Sequence, residues 1–132
     1  MSTELNLLTY SVALLFVLIM IQALAGVFKN GSKVMAGNRD SLPPDSVWMA
    51  RTKRVVANHI ENLAVFAPIV LVAALARISN QWTVLGAQLF FYSRLAHAII
   101  YLAGWPWIRA VAWTVGLVGI VLIFLALFGI LQ

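Results

Sequence analysis

Four long apolar stretches dominate the chain, and the gaps between them differ in kind. Residues 5–28 carry no charge, and Gln22 is their only strongly polar side chain near the far end. About 20 mostly apolar residues cross the ~30 Å hydrocarbon core of a bilayer as an α-helix, so this stretch predicts a span. It is longer than the apolar core of a secretory signal and has no basic stretch before it, so it is expected to be retained. The pattern breaks over residues 29–45, where Gly31, Gly37, Asn38, Pro43 and Pro44 mark turns. Asp45 or Ser46 then offers an N-cap. A second helix is expected over residues 46–78. Its uncharged run, 63–76, is too short to span alone, and its first half carries Arg51, Lys53, Arg54, Asn58, His59, Glu61 and Asn62. After a polar link at 79–81, a third span is expected over 82–103, with Arg94 and His97 inside it. Gly104, Trp105 and Pro106 predict a tight turn. The fourth span, 108–131, is uncharged beyond Arg109. The pattern over residues 1–132 is that of one all-α domain, an integral membrane four-helix bundle.

Composition supports a membrane setting. The chain is 63% hydrophobic and 10% charged, with mean hydropathy +0.96, whereas soluble domains carry about 25% charged residues. A domain this small has too little interior to hide so much apolar surface. The absence of cysteine excludes disulfides, thiolate metal ligands and a cysteine nucleophile. Two histidines, His59 and His97, are too few for a usual zinc site, so no metal is expected. The net charge of +5 changes meaning once the charges are placed: six of the nine basic residues fall between Lys29 and Arg54. That is one basic loop beside a membrane, and no nucleic-acid partner is expected. By the positive-inside rule, loops one and three are cytoplasmic and both termini lie on the far side. Trp48, Trp105 and Trp107 then mark the cytoplasmic interface and Trp82 the other.

Charged groups within a bilayer are expensive, so each needs a reason. Arg51, Arg54, Asn58 and Glu61 fall at i, i+3, i+7 and i+10, on one helical face. Arg94, His97 and Tyr101 fall at i, i+3 and i+7 on another. Two polar stripes at one depth predict a common polar cavity. A purely structural network is the plain alternative, with Glu61 neutralising Arg94 or Arg54 and Asn58 satisfying leftover donors. Yet Arg51, Arg54, Arg94 and Arg109 outnumber Glu61, and surplus guanidinium groups suit an anionic partner, a lipid phosphate or a carboxylate substrate. His59, adjacent to Asn58, points off the stripe and is expected to be structural or interfacial.

The stretch Arg51-Thr-Lys-Arg54-Val-Val-Ala-Asn58-His-Ile-Glu61 resembles the second-helix signature of the membrane-associated proteins in eicosanoid and glutathione metabolism, the MAPEG family. Arg94-Leu-Ala-His97-Ala-Ile-Ile-Tyr101, followed by Pro106-Trp-Ile-Arg109, is similar to that family's third-helix and third-loop pattern. The resemblance covers essentially the whole chain and is to members of bacterial type, which implies a bacterial inner membrane. It implies a homotrimer that binds glutathione as co-substrate between subunits near the cytoplasmic face. There, family enzymes conjugate lipophilic electrophiles or reduce lipid hydroperoxides. Carried over, Arg54, Asn58 and Glu61 match positions that hold the glutathione backbone, and Arg51 one that supports them. Arg94, His97 and Tyr101 match third-helix positions near the peptide. Lys33 matches a basic first-loop contact, and Arg109 the arginine proposed to stabilise the thiolate. Ala57 and Ala110 depart from prostaglandin synthases, which carry a second arginine and a serine there. A non-catalytic lipid-binding or scaffold protein on the same fold is the alternative. A small four-helix transporter fits less well, because residues 5–28 lack the acidic residue such proteins use.

Overall fold

Three of the four long helices start at a side chain that accepts from a free amide, and the fourth starts at a proline, which has no amide N–H to satisfy. In the computed structural model, which describes all of Met1–Gln132, four long helices and one short one form. Helix α1 (Thr3–Asn30) begins at Ser2, whose hydroxyl accepts from the Leu5 amide at 3.2 Å. It ends at Gly31, whose φ of 87° suits a residue without a Cβ. Helix α2 (Ser32–Ala36) is a short helix within the basic loop, which the turn-forming residues do not predict. Lys29 Nζ donates to the Pro44 carbonyl, and Lys53 pairs with Asp45 at 2.7 Å, so both ends of the loop are tied down.

Helix α3 (Val47–Leu75) begins at Ser46, one of the two expected caps, which accepts from the Met49 amide at 3.2 Å. It ends three residues before position 78. The amides of Arg77 and Ile78 donate to the carbonyls of Ala74 and Ala73, and Arg77 takes φ 57°. This is a Schellman-type helix end, a form that usually places glycine at that position. Helix α4 (Gln81–Ala103) opens with a capping box between Asn80 and Thr83. Gly104, at φ 86°, closes it, and Pro106 opens α5 (Pro106–Leu127), which gives the expected tight turn.

Contacts at the two ends set the topology. Glu4 bonds Ser79 and Thr83, and Asn80 bonds the Leu131 carbonyl, so the start of α1 meets the α3–α4 link and the chain end. At the other end Arg54 meets Tyr101 and Arg51 lies against Gly104. The four long helices therefore alternate in direction. The central core joins Leu7 and Leu8, Leu63 and Phe66, Phe90, Ile120 and Ile123. Phe66 and Phe90 stack with centroids 3.8 Å apart. Helices α4 and α5 approach to backbone contact. A Cβ on Gly86 would stand 2.5 Å from the Gly119 carbonyl oxygen, and one on Gly119 would stand 2.5 Å from that of Gly86. Small residues permit such backbone contact between membrane helices.

Only 30 of 132 residues are buried, and Phe28, Leu75 and Trp107 are 85% or more exposed. Apolar surface on that scale needs lipid or a partner. Helices α1, α3 and α5 are long and apolar enough to cross a membrane. Helix α4 has 23 residues but falls outside that set. Gln81, Gln88, Arg94 and His97 reduce its apolar character.

Candidate functional site

The two polar stripes meet at the end of the molecule where α3 starts and α4 finishes. An open cavity of about 450 Å³ is walled there by Arg54, Ala57, Asn58 and Glu61 of α3, His97 and Tyr101 of α4, and Arg109, Ala110 and Trp113 of α5. Six of the residues picked out by spacing or motif thus share one wall. Arg51 lines an adjoining recess of about 230 Å³ together with Arg54, Tyr101, Gly104 and Arg109. Lys33 is exposed on α2 and lines neither.

Tyr101 organises the arginines. Arg54 Nε donates to its hydroxyl oxygen at 2.8 Å. The Arg109 guanidinium carbon lies 4.7 Å from its ring centroid, and that of Arg54 5.8 Å. Both distances are within cation–π range. The phenol ring therefore holds two cations at the cavity without neutralising either.

Arg94 sits differently from its stripe partners. It is 2% exposed and lines no part of the cavity. Its Nη2 donates to Asn58 Oδ1 at 2.6 Å, and its Nε points at His59 Nδ1 across 3.4 Å. His59 Nε2 lies 2.9 Å from the Ser11 carbonyl oxygen, which can only accept. His59 is therefore the Nε2–H tautomer, with Nδ1 free to accept from Arg94. A chain of hydrogen bonds runs from α1 through α3 and α4 and ends on Asn58 at the cavity wall. His59 has the structural role expected of it, and that role is to hold Arg94.

The structural alternative for Glu61 is not what the chain adopts. Glu61 is exposed and makes no ion pair, and Lys53–Asp45 is the only one present. Asn58 Oδ1 takes Arg94 in its place. With Oδ1 occupied, the Asn58 amide nitrogen remains as a donor. The cavity therefore offers two guanidinium groups, one amide donor and one free carboxylate beside an apolar wall of Ala57, Ala110 and Trp113. Such a surface suits a ligand with separate anionic and cationic ends and an apolar neighbour. Trp113 was beyond reach of spacing arguments, because nothing distinguishes it from an interfacial tryptophan. His97 Nδ1 and Arg94 Nη1 are buried without hydrogen-bond partners.

Fold and site together define an all-helical membrane protein with a polar, arginine-rich cavity at one end of its helices. The model of the MAPEG family matches residues 7–129. The chain belongs to the MAPEG family. No curated protein and no solved structure matches it.

Proposed function

We propose that the protein is a glutathione-dependent transferase or peroxidase that acts on lipophilic substrates at the cytoplasmic edge of the membrane. The observation that carries this reading is the convergence of Arg54, Asn58, Glu61, Tyr101 and Arg109 on one cavity. Its volume is in the usual range for small-molecule sites. Glutathione is a small peptide with two carboxylates, an ammonium group and a thiol. Arg54 and Arg51 suit the carboxylates, because planar guanidinium donors bind them bidentately. Unpaired Glu61 suits the ammonium group, and the Asn58 amide suits a carbonyl or carboxylate oxygen.

Arg109 is assigned to the sulfur. The thiolate is the nucleophile, and a free thiol has a pKa of about 8.5. Lowering that by two units requires roughly 2.7 kcal/mol of preferential stabilisation. One guanidinium in a partly desolvated cavity supplies energy of that order. In transfer, the sulfur lone pair forms a bond to an electrophilic carbon and the leaving group departs with its electron pair. In peroxide reduction, two glutathione molecules become one disulfide while the O–O bond is cleaved to alcohol and water. The apolar wall supports entry of the co-substrate from the bilayer.

In this reading α4 crosses the membrane as well, as the third of four spans, consistent with Arg94 and His97 each being 2% exposed and so hidden from lipid. Both termini are non-cytoplasmic, in a bacterial inner membrane. The working unit is a homotrimer, in which Lys33 reaches the site of a neighbouring copy. Calorimetry of glutathione binding to wild type and Arg54→Ala tests the reading. Loss of a charged hydrogen-bonding partner is expected to weaken binding about tenfold or more. Absence of glutathione binding to wild type would sink it.

A further inference from the structure

The opposite end of the molecule holds a second cavity that the glutathione reading does not use. It measures about 320 Å³ and lies between the start of α1, the end of α3 and the link to α4. Leu5, Val70, Ala73 and Ile78 contribute an apolar wall, and Glu4 and Arg77 contribute charge. Glu4 is only 5% exposed. Its Oε1 accepts from Ser79 Oγ at 2.7 Å and from Thr83 Oγ1 at 2.6 Å. Its Oε2 is buried and has no hydrogen-bond partner. Glu4 also has no cation within ion-pair distance. A buried carboxylate oxygen without a donor is costly, and such groups in native structures call for an explanation.

Arg77 is exposed and equally unpaired. Its φ of 57° lies in the left-handed region that favours glycine. An arginine held at a glycine position points to a use for its guanidinium. Both charges lie where α1 and α4 start and α3 ends, and Trp82 lies in the first turn of α4 at the same end. That is headgroup depth in a membrane. Leu71 and Leu75, both exposed, continue an apolar surface along α3 from the cavity toward the bilayer core.

We propose that this cavity binds a phospholipid whose headgroup carries a primary ammonium beside its phosphate, with the ammonium on Glu4, the phosphate on Arg77 and the acyl chains along α3. The chemistry discriminates. A trimethylammonium headgroup has no N–H to give Glu4 Oε2. A headgroup with phosphate alone satisfies Arg77 and brings a like charge toward Glu4. A soluble amine leaves the apolar strip uncovered. The proposal does not depend on what binds at the glutathione end.

The full-length protein is reconstituted with phosphatidylethanolamine, phosphatidylcholine or phosphatidylglycerol as the doped lipid. Retained lipid is counted by native mass spectrometry, and the melting temperature is followed with each lipid. Phosphatidylethanolamine is expected to be retained at least about tenfold better than phosphatidylcholine, the worth of one hydrogen bond to a charged group, and to raise the melting temperature most. The Glu4→Gln variant is expected to lose that preference. The Arg77→Gly variant, whose backbone suits the site better, is expected to fold and to retain less of either lipid. Equal retention of phosphatidylethanolamine and phosphatidylcholine by wild type would overturn the proposal without recourse to any variant. Phosphatidylglycerol binding as well as phosphatidylethanolamine would overturn the role of Glu4. Free phosphoethanolamine giving the same thermal shift as the lipid would overturn the acyl-chain assignment.

Discussion

Replacing Arg94 by methionine separates two effects of its buried guanidinium. On stability the contributions oppose one another. Burying an arginine in a membrane helix costs about 2.5–3.5 kcal/mol on insertion scales, and methionine removes that cost while filling much of the volume. Against this, Asn58 Oδ1 loses its 2.6 Å donor and His59 Nδ1 its 3.4 Å one. Only His59 Nδ1 is a buried acceptor left unsatisfied, at about 1–3 kcal/mol, because half-buried Asn58 lines the open cavity and keeps a 3.5 Å donor in Asn62 Nδ2. The two sides nearly cancel, so unfolding stability in detergent is expected to change by no more than about 2 kcal/mol. Binding has no such compensation. Arg94 occupies Oδ1 and so leaves the Asn58 amide nitrogen as the donor toward the cavity, and without it the amide is held only by the long 3.5 Å contact from Asn62 Nδ2. Loss of one oriented donor is worth about 1.4 kcal/mol, a tenfold weaker affinity for glutathione. Calorimetry and denaturation on the same preparation read both quantities. A variant destabilised by more than about 4 kcal/mol with unchanged affinity would refute the reasoning, because Arg94 would then be a structural group with no hold on Asn58.

Three other substitutions follow from the same geometry. Gly119→Ala places a Cβ 2.5 Å from the Gly86 carbonyl oxygen, and overpacking at backbone contact is expected to cost about 1–3 kcal/mol; an unchanged melting temperature would show that α4 and α5 are not in contact there. Glu61→Gln removes an exposed, unpaired carboxylate, so stability is expected to hold within about 0.5 kcal/mol. Glutathione binding weakens while binding of an analogue without the amino group does not, and calorimetry with both ligands checks this. Asn58→Asp gives Arg94 an ionic partner in place of a neutral one, so the melting temperature holds or rises. Glutathione binding is lost, because a donor has been exchanged for an anion among carboxylate-binding groups.

The helices and the existence of a shared cavity were legible in the sequence, because both depend on local pattern. Hydrophobic runs set the long helices, Ser46 marks the start of α3, and Gly104 with Pro106 marks the α4–α5 turn. Helical spacing brought Arg54, Asn58 and Glu61 to the same face as His97 and Tyr101 on the neighbouring helix. Side-chain direction was not legible. Arg94 and Tyr101 share a face by spacing, and Asn58, which Arg94 bonds, lines the cavity, so depth alone does not separate the two. Tyr101 faces the cavity, whereas Arg94 turns into the packed interior toward Asn58 and His59. Partner choice was equally hidden. Charge alone pairs Glu61 with an arginine, whereas packing gives Arg94 to Asn58 and leaves Glu61 free. The burial of Glu4 depends on Ser79 and Thr83, more than seventy residues away, and no local pattern announces it.

The central claim is that this cavity binds glutathione and holds its sulfur as the thiolate beside Arg109. It is tested most directly by the ultraviolet thiolate absorbance that develops when glutathione is added to the purified protein near neutral pH, in wild type and in Arg109→Ala. A thiolate signal is expected in wild type and its loss in Arg109→Ala, with glutathione still bound through Arg54, Asn58 and Glu61. Equal thiolate signals in the two proteins, or bound glutathione that stays a thiol in wild type, would contradict it.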